Sequence, residues 1–168
     1  MMNITIADIV KNGIWLTFPP LLFSLCLMSR LPAALTPALF NKGVPDVLLN
    51  GENIMRILVF AMPAFFSIGI STKTQKRGLT LYLAGVVLYF LSYGALIVFP
   101  DSAWSTSMIG FVATAFINVF WMIGLSLLGE KFYFPARLRY RPVFFIALLV
   151  LFLIFHITHA VIVYQRTF

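Results

Sequence analysis

Two histidines, His156 and His159, stand three residues apart in the stretch FLIFHITHAVIVYQRTF. In a helix that spacing puts both rings on one face, one turn apart. Three chemistries fit such a pair. The imidazoles can hydrogen-bond a tyrosine or threonine and lock helices together. They can ligate a metal with carboxylates from elsewhere, or His159 can act as a base beside an external carboxylate. A monomer cannot clamp a haem between them, because both lie on one helix.

Other polar groups stand in the neighbouring apolar runs. Tyr82, Tyr89 and Tyr93 share one helical face, while Gly110, Thr114 and Asn118 recur every fourth residue in the next run. The second set reads as a small-and-polar ridge of the kind that packs membrane helices. By helix rise, Tyr93, Thr114 and His156 fall at similar depths, about 9–12 Å below one end of their runs. They form one candidate ligand-binding group with His159, Asn118 and Asp101. His159 is expected nearer the surface, within reach of Asp101, Asp46 or Glu52. No nucleophile stands beside the histidines, and no HExxH or GxSxG motif occurs. No catalytic residue, metal or cofactor is therefore assigned.

The elements that position these groups follow from composition. Of 168 residues, 61% are hydrophobic and only 10% charged, with a mean hydropathy of +0.99. Soluble domains carry about 25% charged residues, so lipid is the solvent here. Five apolar stretches are long enough to cross a bilayer: 12–29, 54–71, 79–99, 103–128 and 142–164. They must be helices, since isolated strands would leave backbone groups unpaired in hydrocarbon. The fold class is thus an all-α integral membrane protein, one bundle of five transmembrane helices within a single domain, 1–168.

Between spans one and two, residues 30–53 form the one long external segment. Pro32 and Pro45 suit helix starts, and Gly43 and Gly51 suit ends. Two short interfacial helices or a re-entrant flap are expected over the outer mouth; a mobile loop is the alternative. Pro19-Pro20 and Pro63 should kink spans one and two or open a turn in them. Trp15, Trp104 and Tyr164 fall where interfacial rings settle.

The net charge of +7 lies in short loops, which argues against nucleic acid. Lys73, Lys76 and Arg77 follow span two, and Lys131, Arg137, Arg139 and Arg141 precede span five. The positive-inside rule makes both loops cytoplasmic, with the N-terminus inside and the C-terminus outside, in a membrane such as the bacterial cytoplasmic membrane. In KFYFPARLRYRP, aromatic rings alternate with Lys131, Arg137, Arg139 and Arg141, a pattern suited to anionic lipid headgroups. Cys26 is the only cysteine, which excludes an intramolecular disulfide and a CxxC redox pair. No cleavable signal or lipidation motif is read. The preferred function is non-enzymatic: binding a hydrophobic ligand, or serving as a membrane partner or accessory subunit, with a protein partner or a homo-oligomer in view. The alternatives are a small-molecule transporter and an enzyme acting on a lipid or isoprenoid.

Overall fold

A computed structural model describes residues 6–133 and 139–168. Five stretches in it are long and apolar enough to cross a membrane: Gly13–Arg30, Asp46–Phe65, Lys73–Val98, Met108–Leu128 and Pro142–Thr167. The architecture is all-α and multi-pass, as expected. The helices are α1 (Ile6–Val10), α2 (Phe18–Leu27), α3 (Pro37–Phe40), α4 (Asp46–Ala61), α5 (Lys73–Val98), α6 (Met108–Phe116), α7 (Asn118–Leu128) and α8 (Pro142–Thr167).

The prolines act as segment boundaries. Gly13–Thr17 is a 3-10 turn capped by the Asn12 side chain, and α2 then starts with Pro19 and Pro20 in its first turn. Pro20 has no N–H to bond the carbonyl four residues earlier, that of Leu16. The Tyr82 hydroxyl donates to that carbonyl instead, at 2.8 Å. Tyr82 thereby joins α5 to the broken first span.

Pro63 corrects the second span more strongly. Helix α4 gives way at Met62–Phe65 to a 3-10 turn, the opening expected at Pro63, but Phe66–Ile68 is then a strand, β1, where the helical span was expected to run on to residue 71. Pro63 lacks the N–H that would continue the α4 ladder, and the segment beyond it finds its backbone partners in a strand. β1 pairs antiparallel with β2 (Gly129–Phe132), matching Phe66 to Phe132 and Ser67 to Lys131. Asn12 bridges to Ser67, and Gly69 N–H donates to Leu128 O at 2.9 Å. This paired backbone ties the chain together at the end carrying the basic loops.

The tightest helix pair is α5 against α7, with glycine on both sides. A Cβ on Gly85 would strike the Trp121 backbone, and one on Gly124 would strike the Tyr82 backbone. The Gly110, Thr114, Asn118 ridge does not perform this role. Gly110 abuts the Trp104 backbone, and the helix breaks at Ile117 between α6 and α7. The core centres on Trp121, Met122, Leu125, Phe145 and Leu149, with Phe66 below them.

The connection between the first two spans is shorter than expected. Residues 46–53 belong to α4, so Gly51 lies inside a helix and does not end one. Gly43 does turn the chain, at φ +69°. A 3-10 turn at Ala33–Leu35 and the short α3 form a flap. Its Leu35 and Phe40 pack on Phe111, Val112, Ala160 and Val163 of α6 and α8. Arg166 fastens the flap, donating to the carbonyls of Leu39, Phe40 and Lys42.

Candidate functional site

Helix α4 crosses α8 where Gly51 faces the Phe155 ring; any side chain at 51 would collide with it. The close approach sets Glu52, only 1% exposed, between the two histidines. His156 Nδ1 is 2.9 Å from Glu52 Oε1, and His159 Nδ1 is 2.5 Å from Oε2. Arg56, one turn further along α4, donates to Oε1 and also to Asn53 Oδ1 at 3.3 Å. On the other side of its ring, His159 Nε2 is 3.0 Å from the Phe40 carbonyl of the flap. Phe40 lies over the His159 ring at 4.0 Å, and Phe152 stacks on His156 at 5.0 Å.

His159 thus meets Glu52, one of the three carboxylates expected within its reach, whereas His156 meets the same carboxylate where a tyrosine or threonine was expected. Their exposure is also the reverse of expectation. His159 is 1% exposed beneath the flap, whereas the His156 side chain, 19% exposed, opens into a cleft. Glu52 was assigned to an external loop and stands inside the second candidate span. One sequence signal did mark it: Glu52 and Arg56 are one helical turn apart, and from Ile54 to Ala61 the run is apolar except for Arg56. Intramembrane charges of opposite sign at that spacing normally pair and mark function.

The cleft has a volume of about 500 Å³. Leu21, Leu25, Met28, Leu35, Ile57 and Phe60 form much of its wall. Its polar groups converge from other helices: Arg56, His156, Tyr89, Tyr93, Thr114 and Asn118. The sequence candidates His156, Tyr93, Thr114 and Asn118 therefore do come together. Asn118 is already engaged, donating to Thr114 O and Ala115 O and accepting from Trp121 Nε1 at 2.9 Å. Asp101 lines no part of the cleft and lies exposed in the turn after α5. Among the described residues, no His, Cys, Asp and Glu group is arranged to hold a metal ion.

At the basic-loop end, Lys131 pairs with Asp8 at 3.6 Å, while Arg139 and Arg141 are exposed. Arg137 lies outside the described residues. Tyr133 donates to Asp8 O at 2.6 Å, and Tyr140 donates to Ser126 O at 2.7 Å. Burial pushes the Tyr140 hydroxyl well above its ordinary value. Burial, with the nearby Asp8 charge, raises that of Tyr133.

Comparison with known proteins finds no matching family model, no matching curated protein and no matching solved structure. By its own helices, the chain is a polytopic helical membrane protein with five candidate spans.

Proposed function

We propose that the protein binds a lipid-like amphiphile from within the bilayer, its hydrocarbon in the cleft and its polar head at Arg56 and His156. One observation carries this reading. Arg56 sits ten residues into a twenty-residue candidate span, its side chain 45% exposed, in a cleft walled largely by apolar side chains. A cation so placed is costly in hydrocarbon and is kept where a ligand or a wet cavity meets it. An apolar pocket with a few convergent polar groups is the general form of a small-molecule site.

Binding is favoured over transport because the cleft's polar groups gather on one side of the bundle, while the paired strands β1 and β2 tie the chain together at the basic-loop end. The distribution of Lys and Arg supports an orientation with that end in the cytoplasm and the flap outside. Reporter fusions should then place Lys76 in the cytoplasm and the C-terminus outside; the two sides exchanged would reverse the assignment, and the same side for both would mean that a span is miscounted.

The binding reading is tested by mild detergent extraction followed by mass spectrometry of the bound lipid. Thr114→Trp and Leu25→Trp should fill the cleft and release the amphiphile while thermal stability is kept. Purified protein carrying no amphiphile, or blocked variants that retain it, would sink the proposal.

A further inference from the structure

The proton and charge inventory of the buried cluster identifies the kind of head group, resting on the cleft's role as an amphiphile site. A backbone carbonyl only accepts hydrogen bonds. His159 Nε2, 3.0 Å from Phe40 O, therefore carries a hydrogen. Its other nitrogen, Nδ1, lies 2.5 Å from Glu52 Oε2. Two bare lone pairs at that separation would repel, so a second proton lies between them. Whichever atom holds that proton, Glu52 and His159 together carry no net charge. They form either a carboxylate with an imidazolium or a carboxylic acid with an imidazole.

Glu52 is also the acidic partner of Arg56. Because its charge is already balanced by the proton shared with His159, Arg56 remains as one uncompensated positive charge. Among the described residues, the surrounding elements supply no second anion. Helices α6 and α7 contain no charged residue, and α5 faces the cleft with the neutral Tyr89 and Tyr93. On α8, Arg166 is committed to the flap carbonyls; the flap adds Lys42, and the first span ends at Arg30. Asp46 and Asp101 are exposed. Asp46 is about 15 Å of helix rise from Arg56, and Asp101 lines none of the cleft.

We infer that the head group the cleft takes is an anion, a carboxylate or a phosphate on a hydrocarbon chain, held by Arg56. A guanidinium beside an apolar wall favours such oxyanions strongly, through charge-assisted and bidentate hydrogen bonds. The flap, tied down at Phe40 by His159, covers the neighbouring part of the site and limits water access to the pair.

The test uses the whole protein in phosphatidylcholine nanodiscs, with palmitate, hexadecyl phosphate, hexadecanol and hexadecyltrimethylammonium compared by native mass spectrometry. The pH is set so that the carboxylate is ionised. At least one anion should be retained about tenfold or more over the alcohol, and the ammonium should not be retained. Comparison of the two anions tells which oxyanion is preferred. Arg56→Gln should reduce the anions to the level of the alcohol, while Arg56→Lys keeps part of the preference. Glu52→Gln is the sharper control. Its amide can donate to His159 Nδ1, His159 becomes neutral, and the net charge of the cluster is unchanged, so the anion preference should survive. Wild-type protein that holds the alcohol as well as both anions would overturn the inference without touching the cleft reading. Loss of the preference in folded Glu52→Gln would overturn the charge inventory. If none of the four probes is held, the cleft reading itself falls.

Discussion

Replacing Glu52 by leucine should be among the most damaging single changes in the molecule, and the size of the effect can be worked from its contacts. Glu52 receives His156 Nδ1, His159 Nδ1 and the Arg56 guanidinium, and is almost wholly buried. Leucine fills a similar volume and meets none of them. His159, equally buried, is left with one ring nitrogen unpaired, and His156 with one that is partly exposed. Each stranded buried group costs about 1–3 kcal/mol. Breaking a buried ion pair from one side costs about 3–5 kcal/mol where the remaining charge cannot escape. Arg56 is close to half exposed and can turn into the cleft. The expected loss is therefore near the lower bound, about 3 kcal/mol. For a chain of this length that is a fall in melting temperature of about 6–12 °C, measured in mild detergent by tryptophan fluorescence. Glu52→Gln keeps the shape and the hydrogen bonds, and should lose about 1 kcal/mol. A cycle with His159→Leu should show a coupling above about 1 kcal/mol, since the two residues share one contact. If Glu52→Leu melts with the wild type, or Glu52→Gln falls as far as Glu52→Leu, the cluster does not hold α4 to α8.

Two further outcomes follow from packing and titration. Gly124→Ala places a methyl against the Tyr82 backbone, which no rotamer change can relieve, and should cost about 1–3 kcal/mol. Gly94→Ala, in open space on α5, should gain about 0.5–1 kcal/mol from helix propensity, and equal effects at the two glycines would refute the close α5–α7 contact. Tyr140 has a hydroxyl titration point raised by burial, so the folded state holds that proton more tightly than the unfolded state. The stability it contributes is complete below about pH 10 and is lost as the pH rises above that value. Tyr140→Phe should give up about 1 kcal/mol at neutral pH, from the bond to Ser126 O, and should show a shallower alkaline loss of stability. An alkaline loss parallel to that of the wild type would show that Tyr140 does not carry it.

Much of the fold is legible in composition because hydrocarbon tolerates so few arrangements. Five apolar runs with charges between them can only be five helices, and that follows from solvent alone. The limits of those helices were harder to read. Treating charge as the end of a span placed Glu52 and Gly51 in a loop, yet the span continues through both because the α8 histidines and the Phe155 ring receive them. Pro63 signalled a break, but nothing in Phe66–Ile68 announced a strand. That strand exists because β2, more than sixty residues later, supplies the backbone partner. The same distinction applies to the site. The sequence by itself determined that His156 and His159 share a helical face, that lipid surrounds them, and that Tyr93 and Thr114 stand at matching depth. Only the tertiary structure decided which residue meets the histidines, because hydrogen bonding is settled by which face of each helix turns inward and how closely the backbones approach. At Gly51 the Phe155 ring takes the place a side chain would fill, and an absent group leaves no periodic signal to read.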